Sequence, residues 1–168
     1  MMIRKVTVAD AKSVLELMYQ LDSESQFMLL EPGERTTTLE QQRQIINSFM
    51  DSNTKVMLLA EVDEEIVGFV VGVGNTASRN RHVIYCVIGV CQAAAGCGLG
   101  SKLMSQLQVW ALQHSFSRME LTVMEHNIRA KALYLSCGFE IEGTKRNALQ
   151  LEDGYVNELY MAKLLVDE

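Results

Sequence analysis

The sequence predicts a single α/β domain over residues 1–168, with helices on both faces of a mixed sheet. The chain of 168 residues is 48% hydrophobic, which is enough apolar material to fill one core. Segments rich in β-branched residues are interspersed with segments whose apolar residues recur at helical spacing. The predicted order is a strand, two helices, three strands, a helix, a strand, a helix and two strands. No repeat, low-complexity tract or linker separates these elements.

Two capping boxes predict where the first two helices begin. Thr7 and Asp10 open the first helix, whose apolar face consists of Ala11, Val14, Leu15 and Met18. The second box is Thr37-Thr38-Leu39-Glu40, and its helix has an apolar side formed by Ile45, Ile46, Phe49 and Met50.

A loop is predicted between these helices, over residues 22–37, because it contains the only proline, Pro32, next to Gly33. Its apolar run Phe27–Leu30 could cover a substrate as a lid, or it could pack under the sheet.

The remaining elements follow from strand and turn patterns. Val56–Val62 and Ile66–Val73 flank Asp63-Glu64-Glu65, which predicts an antiparallel hairpin. Later strands are predicted at His82–Val90, Met119–Val123, Phe139–Leu149 and Tyr155–Leu165, and helices from Leu99 to about Phe116 and over Ile128–Cys137. Gly138 stands where a left-handed residue commonly ends a helix.

Composition excludes several classes of protein. The longest apolar stretches, such as Ile66–Val73, are far shorter than the roughly 20 residues that span a bilayer, so no membrane partner is expected. The first residues, Met1–Val6, lack the apolar core of a signal peptide, so we expect a cytoplasmic protein. The net charge of −6 disfavours nucleic-acid binding, because an acidic surface repels phosphate backbones.

No metal site is expected from the cysteines or histidines. The spacing of Cys86, Cys91, Cys97 and Cys137 matches no zinc pattern, and we expect buried free thiols. The three histidines, His82, His114 and His126, are too scattered to form a metal site.

A glycine-rich loop, Gly96–Ser101, stands between the strand His82–Val90 and the following helix. Glycines there allow close backbone approach, and the first amides of the helix favour a phosphate or pyrophosphate. A tight turn that needs glycine only for its dihedral angles is the alternative. The run is neither the dinucleotide fingerprint G-x-G-x-x-G nor a Walker loop.

These residues resemble the GNAT superfamily of acetyl-CoA-dependent N-acetyltransferases. Ala95-Gly96-Cys97-Gly98-Leu99-Gly100 occupies the family's pyrophosphate loop, with Ala95 where Gln or Arg is usual. A second signature is matched, with its spacing, by Leu121-Thr122-Val123, Asn127, Ala130, Leu133-Tyr134 and Gly138-Phe139. The tail, Glu140–Thr144, Asp153–Val156 and Met161, is similar to that of members acetylating amino acids or protein amino termini. The match covers about Val56 to Leu165.

The resemblance implies a mostly antiparallel sheet of about six to seven strands, splayed between His82–Val90 and Met119–Val123. It also implies acetyl-CoA as cosubstrate, without a metal. The backbone of Ile88 and Val90 would pair with the pantetheine arm, and Asn127 would cap its helix and contact the pantetheine amides. The cofactor-binding residues it implies are Ile88, Val90, Ala95, Gly96, Cys97, Gly98, Leu99, Gly100, Ser101, Asn127, Ala130 and Tyr134.

Catalytic roles are carried over to two residues. The backbone amide of Val90 would donate to the thioester oxygen, and Tyr134 would act as general acid. A phenol with an ordinary pKa near 10 holds a proton to give to the leaving sulfur. Cys97 lies too far from the thioester to serve as nucleophile. Arg129, Lys131 and Lys102 are interpreted as solvated charges, with contacts to the adenosine phosphates as the alternative.

The general base stays open. Many relatives carry a Glu in the strand where this chain has Tyr85 and Cys86. The candidates are Glu125, His126, His82, the loop carboxylates Glu24, Glu31 and Glu34, and a chain of water molecules.

We therefore expect direct acetyl transfer from acetyl-CoA to a primary amine: an amino acid, a peptide or protein N-terminus, or a small amine. The alternatives are a non-catalytic acetyl-CoA-binding sensor or partner module, and a generic nucleotide-binding domain. The two C-terminal strands could place an edge at a homodimer interface.

Overall fold

A computed structural model describes residues 1–166 and confirms the α/β class. Residues 1–166 form four α-helices: α1 (Ala11–Glu24), α2 (Leu39–Asn47), α3 (Leu99–Gln113) and α4 (Ile128–Ser136). The strands are β1 (Met2–Lys5), β2 (Lys55–Val62), β3 (Glu65–Gly74), β4 (Val83–Val90), β5 (Arg118–Met124), β6 (Glu140–Leu151) and β7 (Gly154–Leu164). They form one sheet in the order β1-β2-β3-β4-β5-β7-β6. Every neighbouring pair is antiparallel except β4 and β5.

The first capping box is confirmed, and the second is shifted by one residue. The Thr7 amide donates to Asp10 Oδ2 at 2.7 Å, which begins a short 3₁₀ turn that continues into α1. At α2 the cap is Thr38, whose hydroxyl accepts from the Gln41 amide at 3.1 Å. The capping box is therefore formed by Thr38 and Gln41. A glutamine side chain can reach back to the cap residue in the same way as the glutamate of the predicted box.

Two predicted boundaries and one predicted face are wrong. Residues 22–24 belong to α1, so the α1–α2 loop is shorter than predicted. Helix α3 ends at Gln113, because Ser115 adopts a positive φ of 64° that ends the helical path. Of the apolar face predicted for the second helix, Ile46 is fully buried, whereas Ile45 is 44% exposed and Met50, which lies beyond the end of α2, is 39% exposed. A helix of this length that packs mainly on α1 buries only a narrow stripe.

The sheet separates two apolar cores, which confirms that helices cover both faces. The larger core joins α3 and α4 to the sheet through residues such as Leu103, Leu107 and Met119. The smaller core joins α1 and α2 to β2 and β3 through residues such as Val14, Ile46 and Leu59. The predicted hairpin between β2 and β3 is confirmed, with Val62 opposite Glu65.

Strands β4 and β5 separate after three residue pairs. They pair only at Val83–Arg118, Ile84–Met119 and Tyr85–Glu120. Beyond that point β4 continues along β3 as far as the pair Gly68–Val90, and β5 continues along β7 as far as Met124–Glu158. The expected splay is therefore confirmed, and it opens towards the carboxyl ends of both strands. Within residues 1–166, no helix has the length and apolar character needed to cross a bilayer.

Replacing Gly74 with alanine should lower the free energy of unfolding by about 1–3 kcal/mol. A Cβ at Gly74 would lie 2.5 Å from the Phe116 ring and 2.7 Å from the carbonyl oxygen of Thr54, so the strand end must shift. Urea unfolding of the two proteins measures the difference.

Gly143→Ala is the matched control, because a Cβ there meets nothing closer than 3.9 Å. Equal losses in the two variants would show that the close approach at Gly74 does not matter.

Candidate active site

The gap between β4 and β5 leaves one edge of β4 facing open space. The Cys91 amide donates to the Val67 carbonyl at 2.9 Å, so at this end of β4 the odd-numbered amides point towards β3. The amides of Ile88 and Val90 therefore point the other way, into the gap, where the β4–β5 pairing has already ended. An extended ligand inserted here would find the hydrogen-bonding edge of a strand.

Tyr134 lies on the larger-core side of this gap. It projects from α4, is 8% exposed, and its ring centroid is 6.0 Å from that of Phe139. Burial raises the pKa of its phenol above the ordinary value, with smaller contributions from Cys86, Tyr85 and Cys137. The hydroxyl therefore stays protonated at neutral pH, which is the state that a proton donor requires.

Tyr85 and Thr122 link the two strands at the start of the gap. The Tyr85 hydroxyl is 2.9 Å from Thr122 Oγ1, one step beyond the last pair, Tyr85–Glu120. Burial raises the pKa of the neighbouring Cys86 thiol to about 12, so it is no thiolate nucleophile near neutral pH. From the sequence, Tyr85 and Cys86 stood out only because many relatives carry a glutamate at this place in the strand.

The glycine loop forms the entry to α3 with two left-handed residues. Gly96 has φ 82° and Gly98 has φ 78°, and Gly98 is the residue that caps the helix. The first amide bonded back to the loop is that of Lys102, to the Gly98 carbonyl at 3.2 Å. The amides of Leu99, Gly100 and Ser101 come before it, in the first turn, where no preceding helical carbonyl can accept from them. Unpaired amides at the start of a helix suit an anion.

Space and charge around the loop also fit a pyrophosphate. A Cβ on Gly98 would meet nothing within 4 Å, so the loop is open on that side. A Cβ on Gly96 would lie 3.3 Å from Arg129 Nη2, which places the Arg129 guanidinium against the loop. The Cys97 thiol is 2.9 Å from the Ala94 carbonyl, on the exposed side. Arg129 is exposed beside the loop, so a solvated charge and a contact with the adenosine phosphates both fit its position.

Asn127 caps α4, as predicted. Its Oδ1 accepts from the Ala130 amide at 3.2 Å, which leaves its side-chain nitrogen to donate elsewhere. The Lys131 ammonium is occupied locally, since it donates to the Glu125 carbonyl at 3.2 Å. Lys102 is exposed on the first turn of α3.

The structure separates the candidate general bases. His82 lies at the amino ends of β4 and β5, where its carbonyl accepts from the Ser117 amide, away from the gap. Glu24 Oε2 accepts from the Gln92 amide at 2.8 Å, and this bond, with a second from Gln20, lowers the pKa of Glu24. Glu34 accepts from the Glu31 amide within the α1–α2 loop. Glu125 and His126 lie at the carboxyl end of β5, where the gap is open.

The α1–α2 loop divides its apolar run between two surfaces. Met28 packs against the smaller core, whereas the Phe27 ring lies 5.1 Å from the His126 ring and Leu29 is 76% exposed. An ion pair fixes the loop to α1: Arg35 contacts Asp22 at 2.6 and 3.0 Å, and Asp22 is 1% exposed. The loop therefore reaches the open end of the gap from the α1–α2 side.

Sequence reasoning missed a group of polar residues on the opposite side of that open end. Arg146, Asn147 and Asn157 line a cavity of about 730 Å³, where the β6–β7 register shifts between Lys145 and Leu149. The polar run Lys145-Arg146-Asn147 inside a predicted strand was a signal of such a bulge.

A comparison with known protein families now decides the class. Residues 15–139 match the model of the acetyltransferase (GNAT) family. The chain belongs to this family. As a member it is an N-acetyltransferase, so the predicted family and enzyme class are confirmed.

Individual relatives agree with this assignment. The acetyltransferase is 32% identical over 108 residues to the L-amino acid N-acetyltransferase AaaT of Escherichia coli (strain K12), covering 64% of this chain and 67% of that protein. A GNAT-family acetyltransferase from Streptococcus pneumoniae superposes with a TM-score of 0.93 at 26% identity, over 98% of this chain and 99% of that one. The putative acetyltransferase yncA of Salmonella typhimurium, solved with acetyl-CoA, has the same fold, with a TM-score of 0.87 at 18% identity over 100% and 95% of the two chains.

Removing the buried carboxylate of Asp22 should destabilise this acetyltransferase. In Asp22→Ala the largely buried Arg35 guanidinium loses its carboxylate partner, and we expect a loss of about 2–4 kcal/mol in the free energy of unfolding. Protease cleavage within residues 25–38 should also become faster. Urea unfolding and limited proteolysis measure the two effects.

Glu16→Ala is the control on the same helix, since its pair with Lys12 is exposed and spans 3.9 Å. If both variants lose the same stability, the burial of the Asp22 pair is not what matters.

Proposed function

We propose that the protein transfers an acetyl group directly from acetyl-CoA to a primary amine of an amino acid, a peptide or protein N-terminus, or a small amine. The observation that carries this proposal is the β4–β5 gap, with a free strand edge on one side and a buried, protonated Tyr134 on the other. The glycine loop at the start of α3 supports the same conclusion, because it suits the pyrophosphate of coenzyme A. Acetyl-CoA bound to yncA supports this choice of cosubstrate.

Backbone groups would hold the cosubstrate. Ile88 and Val90 would pair with the pantetheine amides as a neighbouring strand does, and Asn127 and Ala130 would border the arm from α4. The loop from Ala95 to Ser101 would bind the pyrophosphate through its amides, aided by Arg129. Ala95 would serve through its backbone, so the usual Gln or Arg side chain is not needed there.

Two groups would act on the thioester, which acetyl-CoA supplies as the activated acyl donor. The Val90 amide would donate to the carbonyl oxygen as negative charge develops there, a contribution of about 3 kcal/mol. Tyr134 would give its proton to the departing sulfur. The incoming ammonium must first lose a proton, and Glu125, His126 or a water chain at the open end would accept it.

Direct transfer fits the cysteines of this chain. A covalent acetyl-enzyme would need a thiolate near the gap, and burial raises the pKa of Cys86 to about 12. Cys97 lies on the pyrophosphate loop, away from the thioester. The amine itself would therefore attack the carbonyl carbon within a complex of enzyme, acetyl-CoA and acceptor.

The cytoplasmic location and the homodimer stay predictions. Strand β6 ends the described sheet, and its Ile141 is 50% exposed, which supports an interface at this edge. Sedimentation equilibrium of the full chain would measure the oligomeric state.

Tyr134→Phe should lower turnover by about a hundredfold or more while leaving acetyl-CoA affinity unchanged, because only the proton donor is lost. Coenzyme A release with a panel of amines measures turnover, and calorimetry measures affinity.

Tyr155→Phe is the matched control, since Tyr155 is 65% exposed on β7. Unchanged turnover in Tyr134→Phe would show that Tyr134 is not the general acid.

The rate of the wild-type enzyme should not decline on the alkaline side between about pH 7 and pH 10. Burial raises the pKa of Tyr134, so the phenol keeps its proton across this range, while a rising pH frees the acceptor amine. A kcat profile at saturating substrates measures this. A falling limb near about pH 9 that disappears in Tyr134→Phe would contradict the raised pKa.

A further inference from the structure

A bulge in β6 lies at a polar cavity. Lys145 is opposite Glu158 and Leu149 is opposite Val156, so three residues of β6 stand against Asn157 alone. Arg146, Asn147 and Asn157 line the cavity, whose volume is about 730 Å³. The cavity is open to solvent, and its volume is large enough for a small molecule.

The Arg146 guanidinium differs from the other arginines of the described sheet. Arg4 contacts Asp10 and Glu61, and Arg118 contacts Glu120 and Glu142. Among residues 1–166, no carboxylate pairs with Arg146, although the chain carries a net charge of −6. An exposed arginine that lines a cavity and has no carboxylate partner can bind a carboxylate from solution through its two parallel N–H groups.

Asn157 is held in place on both sides. Its Oδ1 accepts from the Asn147 amide at 2.9 Å, and its Nδ2 donates to Glu125 Oε2 at 3.1 Å. Its carbonyl also accepts from the Glu125 amide at 2.9 Å. The cavity wall and the Glu125 carboxylate are therefore connected through the Asn157 side chain.

Strand register relates Glu125 to Val90 of the proposed reaction site. Tyr85 and Glu120 are opposite each other in the last β4–β5 pair, and Val90 and Glu125 each follow five residues later. Val90 and Glu125 are therefore equally far along the chain from the last β4–β5 pair, one on each side of the gap. On the other side of the β5–α4 junction, Phe27 of the α1–α2 loop contacts His126.

We propose that Arg146 binds the α-carboxylate of a free L-amino acid whose amino group points towards Glu125 and the gap. This inference rests on the proposed function and narrows its acceptor to free amino acids. A guanidinium at the cavity and a carboxylate bonded to its Asn157 wall complement the two charges of a zwitterion. Peptide N-termini, polyamines and aminoglycosides have no carboxylate next to their amine, so they would not use Arg146.

Equilibrium binding tests the inference without turnover. The full chain, saturated with coenzyme A, is titrated calorimetrically with the standard L-amino acids, and then with the amide of each one that binds. We expect Arg146→Gln to weaken amino acid binding about tenfold to a hundredfold and to leave amide binding unchanged. The affinity of Arg146→Lys for amino acids should lie between those of the wild type and Arg146→Gln, because lysine keeps the charge but lacks the paired N–H groups.

Arg79→Gln is the control, since it removes the same charge from another exposed position. The inference is overturned if no amino acid binds the wild-type protein, or if Arg146→Gln binds amino acids as tightly as the wild type does. It is also overturned if Arg146→Gln weakens the binding of the amides as much as that of the amino acids. The proposed function fails by a different result, the absence of acceptor-dependent coenzyme A release with every amine. An active enzyme that prefers peptides or polyamines would keep the proposed function and overturn the Arg146 site.

Discussion

The parting of β4 and β5 is the constraint on which the site depends. Each strand is held by its other neighbour, β4 by β3 and β5 by β7, so the gap between them costs no stability to either pairing. The gap leaves the backbone amides of Ile88 and Val90 facing open space. A ligand that covered these amides would have to supply hydrogen-bond partners for them. An extended arm of amides is a partner that a strand edge can recognise without any particular side chain.

Rigid packing on both faces keeps that gap in place. Tyr134 is buried by the larger core, which raises the pKa of its phenol and leaves it protonated. On the opposite face, the Asp22–Arg35 ion pair and the contact of Glu24 with the Gln92 amide join α1 to the segments that border the site. The α1–α2 loop and the β6 bulge then approach the β5–α4 junction from two sides. In the proposed mechanism, the thioester chemistry and the recognition of the acceptor would therefore use different parts of the molecule.

Much of the fold and part of the site could be predicted from local patterns. The Thr7–Asp10 cap, the β2–β3 hairpin and the entry to α3 depend on residues a few positions apart, and short-range rules predict them. The Asn127 cap belongs to the same class. The shift of the second box from Thr37–Glu40 to Thr38–Gln41 shows the limit of such rules, since adjacent threonines followed by Glu40 and Gln41 satisfy both registers.

The sequence by itself determined the α/β class, most of the elements and, through the glycine loop with Asn127 and Tyr134, the family. Only the tertiary structure decided that β7 lies between β5 and β6, that Asp22 pairs with Arg35, and that Arg146 shares a cavity with Asn157 beside Glu125. The physical reason is separation along the chain. A cap or a turn depends on neighbouring residues, whereas the partner of a buried charge and the strand opposite a bulge depend on how distant segments pack.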